Sequence, residues 1–254
     1  MIIAQISDTH IALDTPDSDR RLRDFERTMS DIGALDTAPD VIVHTGDVAH
    51  NGRLEEYAKA AALLEAARSP VYVLAGNRDD RKTLKEAFSG AGYINGHSEF
   101  IEYAIDDFPV RLIMLDTLSS QSNKGEFCHK RVENLRDMTG REGSKPVAVF
   151  THHPPFEATQ CPDPFQFDTP QDMVRLRSAL HGIDGVTAIF CGHVHRFDMG
   201  DVGATRALAM PSVATTLRKG EYPDGMKTRP VYQLHRFDPV SGFTTQTRIV
   251  GTRN

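Results

Sequence analysis

The 254-residue chain has few cysteines and no long hydrophobic run. Its three cysteines, Cys128, Cys161 and Cys191, are an odd number at wide spacing, which fits neither a disulfide framework nor a zinc finger. We therefore expect reduced thiols in a cytoplasmic protein. No stretch approaches the roughly 18 apolar residues of a membrane span, and the first residues do not resemble a secretory signal. We expect no membrane partner.

Positive charge is also scarce. The chain has 29 Lys and Arg against 35 Asp and Glu, a formal net charge of −6. An acidic protein with no evident basic stripe is poorly suited to hold a phosphate backbone by charge. We therefore expect no stable nucleic-acid partner and disfavour a nuclease. Histidine, by contrast, is plentiful, with 11 residues.

Short apolar runs alternate with helical patterns, which predicts βαβ units. Helix candidates at 19–35 and 54–67 lie between the first three runs. Six runs are typical of strands buried on both faces: Ile2–Ile6, Val41–Val43, Val71–Leu74, Leu112–Leu115, Val147–Phe150 and Val186–Phe190.

The pattern changes after about Gly92, where 100–105 and 110–115 predict a hairpin. Helical patterns follow near 132–138 and 170–181, and three further strand candidates lie near 204–211, 231–237 and 243–250. Two sheets packed face to face with helices outside satisfy this order. We expect an α/β fold, and one domain over residues 1–254, because no linker or repeat is evident.

Polar clusters follow five of these strands, at the carboxyl edge where open α/β sheets form their sites. The clusters are Asp8-Thr9-His10, Gly46-Asp47, Gly76-Asn77-Arg78-Asp79, His152-His153 and Gly192-His193-Val194-His195. Carboxylates, imidazoles and an amide oxygen make a mixed shell that suits Mn, Fe, Zn or Co better than Ca or Mg.

Seven candidate ligands are too many for a single four-coordinate ion. A shared carboxylate would give two ions four protein ligands each, and two metals about 3.5–4 Å apart are a known device for hydrolysing phosphoesters. The seven candidates are Asp8, His10, Asp47, Asn77, His152, His193 and His195.

The ordered motifs resemble the calcineurin-like metallophosphoesterase family over roughly residues 1–200. The sequences Gly46-Asp47-Val48 and Thr151-His152-His153-Pro154-Pro155 resemble in particular its class III cyclic nucleotide phosphodiesterases and bacterial glycerophosphodiesterases. The resemblance implies a four-layer αββα sandwich of two mixed β-sheets with the site at the strand ends. It also implies a small phosphodiester substrate and is compatible with a homo-oligomer.

The same resemblance implies two divalent metal ions that share Asp47, and in-line attack of hydroxide on phosphorus. One ion would be held by Asp8, His10, Asp47 and His195, and the other by Asp47, Asn77, His152 and His193. Of the two adjacent histidines, the family pattern makes His152 the ligand. His153 would then lie behind the ligands or face the substrate.

Arg78 departs from the family motif, which has histidine at this position. Arginine cannot donate a proton usefully, but its planar guanidinium can clamp a phosphoryl oxygen. We therefore place Arg78 among the catalytic candidates with Asn77 and His153. The alternative is an outward-pointing Arg78 paired with Asp79 or Asp80.

Several alternatives stay open from sequence alone. His44 is expected to be a core residue, whereas His50 and Asn51 follow Asp47 and are candidates to line the site. Arg218-Lys219 could meet substrate, although a solvated loop is the simpler interpretation. The proline- and phenylalanine-rich stretch 153–169 is either a functional loop or a surface crossover. A phosphomonoesterase and a catalytically silent binding module are the competing functions.

Overall fold

The computed structural model describes residues 1–139, 145–223 and 225–252. The strands of this part are β1 (Ile2–Ile6), β2 (Val41–His44), β3 (Val71–Val73), β4 (Tyr103–Ile105), β5 (Arg111–Leu115), β6 (Val147–Thr151), β7 (Val186–Cys191), β8 (Asp198–Val202), β9 (Thr205–Ala209), β10 (Val231–Asp238) and β11 (Gly242–Ile249). The α-helices are α1 (Ser18–Gly33), α2 (Leu54–Glu65), α3 (Arg81–Ala87), α4 (His129–Thr139) and α5 (Pro170–His181).

The strands form two mixed sheets. One has the order β11-β10-β1-β2-β3 and the other the order β4-β5-β6-β7-β9-β8. Strands β1, β2 and β3 are mutually parallel, as are β5, β6 and β7. The carboxyl ends of each parallel set therefore lie at one edge of its sheet, and that edge carries the polar clusters.

The side chains of β5 and β6, in the middle of the second sheet, are buried on both faces, because they alternate between two hydrophobic cores. Met114 and Phe150 belong to the core shared with the first sheet, whereas Leu115 and Val149 belong to the core under α4 and α5. Between the sheets, the ring of Phe190 stacks on His235 of β10 with a centroid distance of 3.7 Å.

The predicted architecture of two face-to-face sheets with flanking helices is confirmed. Helix α5 has the predicted bounds, and β4 pairs antiparallel with β5 as the hairpin pattern indicates. Strand β8 and helix α3 are additions that the sequence analysis did not predict. In the described ranges, every helix lacks the combination of length and apolar character that a membrane crossing requires.

Candidate metal centre

The structure brings the seven predicted ligands together at the facing edges of the two sheets. Each follows the carboxyl end of a strand: Asp8 and His10 after β1, Asp47 after β2, Asn77 after β3, His152 after β6, and His193 and His195 after β7. Residues separated by up to 187 positions therefore meet, because the three parallel strands of one sheet and two parallel strands of the other end at these facing edges.

The first group consists of Asp8, His10, Asp47 and His195. Their candidate ligand atoms all lie within 4.8 Å of one another. Nε2 of His10 is 3.1 Å from Oδ2 of Asp47, and Nε2 of His195 is 3.3 Å from Oδ1 of Asp8. Oδ1 of Asp8 and Nε2 of His10 are buried and make no hydrogen bond within the described residues. Such orphaned polar atoms are costly unless an ion satisfies them.

The second group is centred on the side-chain oxygen of Asn77. Oδ1 of Asn77 is 3.1 Å from Nε2 of His152 and 2.8 Å from Nδ1 of His193. Oδ1 of Asp47 lies 3.6 Å from Nε2 of His152. Asp47 therefore has one carboxylate oxygen beside each group, as a bridging ligand requires.

Hydrogen bonds on the far side of two rings identify which nitrogen faces the centre. Nδ1 of His152 lies 2.8 Å from the carbonyl oxygen of Thr45, which can only accept, so Nδ1 carries the proton. Nε2 of His193 lies 2.8 Å from Oε1 of Gln166 and is protonated for the same reason. When both rings are neutral, Nε2 of His152 and Nδ1 of His193 therefore face the oxygen of Asn77 as unprotonated nitrogens, with no proton between the three atoms. This donor set fits a divalent cation and is unfavourable without one.

The electrostatics of the centre favour the ligand forms of its carboxylates. Burial alone would raise the pKa of Asp8, but the imidazoles of His10 and His195 outweigh it and hold that pKa well below its usual range. The pKa of Asp47 is also lowered against burial, by His152 and His10. Both carboxylates are therefore ionised at neutral pH, which metal binding requires.

The pKa values of two imidazoles of the centre shift in opposite directions. Burial would lower the pKa of His10, but Asp47 outweighs it and raises that pKa to about 9. Burial, followed by the neighbouring His153 and His152, lowers the pKa of His193 well below its usual value. His193 is therefore neutral, whereas His10 has to release a proton when it binds a metal.

Five of the seven residues have a left-handed backbone. The φ angles are 55° for Asp8, 45° for His10, 53° for Asp47, 70° for His193 and 56° for His195. Such a conformation costs a non-glycine residue of the order of 1–3 kcal/mol and concentrates at functional sites. Bonds between neighbouring loops maintain it, including Asp8 N to Gly46 O at 3.0 Å and His10 N to Asp47 O at 2.9 Å.

Arg78 lies beside the centre, where its backbone and its guanidinium each contact a residue that follows β2. Its Nε donates to the carbonyl of His50 at 3.2 Å, and its backbone N–H donates to Oδ1 of Asp47 at 2.7 Å. Among the ion pairs of the described residues, none joins Arg78 to Asp79 or Asp80. The structure therefore does not contain the outward ion pair that was the alternative.

Asp79 has a different task. Its carboxylate accepts from the backbone N–H groups of Val48, Ala49 and Gly76 and from the hydroxyl of Tyr57. Burial, and then the charge of Asp47, raises the pKa of Asp79 to about 6. Asp79 thus connects the loop that carries Asp47 to the loop that carries Asn77.

His153 lies behind the ligands and is fully buried. Its Nδ1 is 2.9 Å from the hydroxyl of Thr117, and its Nε2 is 3.3 Å from the carbonyl of Asn123. Its ring packs against that of His193 with a centroid distance of 4.3 Å. Of the two positions that the sequence allowed, the structure places His153 behind the ligands.

Of the other candidates that follow or belong to β2, one is buried in the core and one lines the centre. His44 is buried, with Nε2 2.9 Å from the hydroxyl of Thr9. His50 lines the centre, with Nδ1 3.3 Å from Nδ1 of His10, whereas the amide of Asn51 turns away to donate to Glu56.

The expectation for Arg218 is wrong. Arg218 is 3% exposed, and its guanidinium donates to the carbonyls of Ser212, Met226 and Arg229. These bonds hold together parts of the long connection between β9 and β10, so Arg218 is buried rather than directed at solvent or substrate. Lys219, by contrast, is exposed.

The sequence analysis missed Gln166, which contacts His193 from the 153–169 loop. No motif marks a single glutamine in a proline-rich stretch, so the only available signal was the unusual length of the loop. The loop is folded against the body: Phe156 and Phe167 are buried, and Gly125 and Phe167 form a β-bridge.

Comparison with known proteins agrees with this geometry. Residues 1–197 match the model of the calcineurin-like phosphoesterase family. A glycerophosphodiester phosphodiesterase of Enterobacter lignolyticus is 30% identical over 243 residues, which cover 92% of this chain and 84% of that protein. A 3′,5′-cyclic adenosine monophosphate phosphodiesterase of Pseudomonas aeruginosa is 25% identical over 226 residues, covering 87% and 79%.

The fold has solved counterparts as well. The crystal structure of a dimetal phosphatase from Danio rerio superposes with a TM-score of 0.67, covers 99% of each chain and is 14% identical in sequence. At that identity the likeness concerns the fold alone. The match to the family model over residues 1–197 establishes that the chain belongs to the calcineurin-like phosphoesterase family.

Proposed function

We propose that the protein is a metal-dependent phosphodiesterase that hydrolyses small phosphodiesters, with glycerophosphodiesters and cyclic nucleotides as the leading substrates. The observation that carries the proposal is the convergence of bare ring nitrogens, ionised carboxylates and an amide oxygen at one sheet edge. The names of the relatives, which are phosphodiesterases of these two substrate classes, support the choice of substrate.

Two divalent ions would be held by this centre. Asp8, His10, Asp47 and His195 would hold one, and Asp47, Asn77, His152 and His193 the other. When bound, such a pair lowers the pKa of water and neutralises phosphoryl oxygens. The mixed oxygen and nitrogen ligands favour Mn, Fe, Zn or Co.

The protein's own contribution beyond the ligands is positioning and charge. Arg78 would clamp a phosphoryl oxygen through its guanidinium, whose Nε donates to the carbonyl of His50 beside the centre. Asn77 would hold its oxygen at the second ion, where it already faces both imidazoles. His153 would support the ring of His193 without touching substrate.

Hydrolysis of two nitrophenyl esters by metal-free and Mn²⁺-loaded protein tests the proposal. We expect Mn²⁺ to stimulate hydrolysis of bis-nitrophenyl phosphate more than that of the monoester. Preference for the monoester would instead indicate a phosphomonoesterase, and no stimulated hydrolysis of either would leave the silent binding module. Asp47→Asn should abolish the activity, whereas Asp36→Asn, at an exposed position, should not.

A panel of cyclic nucleotides and glycerophosphodiesters would then rank the substrates. A cytoplasmic location also belongs to this proposal, since the three cysteines are free thiols. Fractionation of cells that produce the protein tests the location. Size-exclusion chromatography tests the expected homo-oligomer.

A further inference from the structure

Gln166 is a buried residue whose side-chain amide and backbone carbonyl are both held by hydrogen bonds. It is 8% exposed, and its Nε2 donates to the carbonyl of Asp163. Its backbone carbonyl accepts from the N–H of Gly125 at 2.8 Å. Because the amide nitrogen is committed to Asp163, the amide oxygen is the atom that faces His193.

That oxygen determines where His193 keeps its proton. Oε1 of Gln166 lies 2.8 Å from Nε2 of His193 and can only accept a hydrogen bond. A neutral ring has a single N–H, so a proton on Nε2 leaves Nδ1 with a free lone pair. Nδ1 is the atom that lies 2.8 Å from Oδ1 of Asn77, inside the second group of ligands.

The ring of His152 also has its proton placed by a hydrogen-bond acceptor, but the acceptor is of a different kind. His152 uses the backbone carbonyl of Thr45, which any sequence would supply. His193 depends on a side chain contributed by the 153–169 loop, so its tautomer can be altered by one substitution. Acceptors of this kind orient metal-binding histidines, and their loss costs about 10–100-fold in metal affinity or activity.

We propose that Gln166 is a positioning residue that holds the proton of His193 on Nε2 and so presents Nδ1 to the second divalent ion. The inference rests on the proposed metal centre. It gives the 153–169 loop a function in assembling that centre.

Three variants separate this function from a merely structural one. Gln166→Met keeps the length of the side chain and removes the acceptor. Gln166→Glu keeps an oxygen acceptor for His193, although it loses the donor to the carbonyl of Asp163. Gln160→Met makes the first change at an exposed glutamine of the same loop and is the matched control.

Calorimetric titration of each metal-free variant with Mn²⁺ gives the first readout. We expect Gln166→Met to bind one of two ions about 10–100-fold more weakly, Gln166→Glu to bind that ion more tightly than Gln166→Met because it keeps the acceptor, and Gln160→Met to bind both like the parent. Unchanged affinity in Gln166→Met would overturn the inference, and so would binding in Gln166→Glu as weak as in Gln166→Met.

Nitrogen-15 NMR of the histidine rings in metal-free protein gives the second readout and needs no ion. His193 should be the Nε2–H tautomer in the parent and in Gln166→Glu, and a mixture in Gln166→Met. A parent His193 protonated on Nδ1 would overturn the inference. If the parent shows the expected tautomer but binds no Mn²⁺, the metal centre fails while the hydrogen-bond function of Gln166 stands.

Discussion

Gly76 lies where the loops after β2 and β3 approach most closely, and adding one methyl group there should disrupt the centre. A Cβ atom at Gly76 would lie 2.3 Å from the backbone nitrogen of Asp47 and 2.3 Å from its Oδ1. Both distances are far inside van der Waals contact. The φ angle of Gly76 is outside the left-handed region, so the effect of Gly76→Ala would come from space alone.

The magnitude follows from overpacking of a buried site. Such overpacking costs about 1–3 kcal/mol, which in a chain of this size lowers Tm by about 2–12 °C. The carboxylate of Asp47 should move, and with it the hydrogen bond from Arg78 N at 2.7 Å. Because Asp47 serves both groups, we expect both ions to bind about 10–100-fold more weakly, by analogy with lost supporting contacts.

Thermal unfolding and Mn²⁺ titration of the variant check this expectation. The matched control is Gly33→Ala at the end of α1, where a Cβ would meet nothing within 4 Å. Gly33→Ala should leave metal binding unchanged and stabilise the protein by about 0.5–1 kcal/mol. Binding of two Mn²⁺ ions by Gly76→Ala with parental affinity would refute the reasoning.

Three further perturbations follow from the same contacts. Arg78→Ala should lower kcat/KM about 10–100-fold, since a hydrogen bond to a charged group contributes about 1.5–3 kcal/mol; an unchanged kcat/KM would exclude the clamp. Tyr57→Phe removes a buried hydroxyl that donates to Asp79 and accepts from Asp80 N, so the free energy of unfolding should fall by about 1–3 kcal/mol; denaturation with urea measures it, and no loss would contradict the network. In metal-free protein the pKa of His10 is raised from 6.5 to about 9, so its stabilisation is complete below pH 6.5 and lost as pH rises through about 9. Urea denaturation in chelator across this range should show falling stability in the parent and a flatter profile in His10→Asn; equal slopes would refute the assignment.

The sequence predicts the strand ends well, because the Val- and Ile-rich runs of β1, β2, β6 and β7 have no competing pattern. Strand β8 was not predicted because Asp198–Val202 contains only one β-branched residue and a glycine. It is an edge strand that is held by its pairing with β9. Helix α3 is only seven residues long and follows directly on a motif that was interpreted as site chemistry.

Within the centre, residue type and strand position were enough to nominate the seven ligands. Which ring nitrogen faces inward was not predictable, because it depends on acceptors such as Thr45 and Gln166 that lie far away in sequence. The burial of Arg218 was not predictable either, because its guanidinium donates to three backbone carbonyls instead of meeting solvent or substrate. Such contacts are made by tertiary packing and leave no local pattern.

A crystal structure determined after growth in Mn²⁺, with anomalous scattering recorded for manganese, tests the central claim most directly. The account predicts two peaks about 3.5–4 Å apart, with Asp47 between them and Nδ1 of His193 directed at one. Absence of peaks among the seven side chains, or ions bound only elsewhere on the molecule, would contradict it.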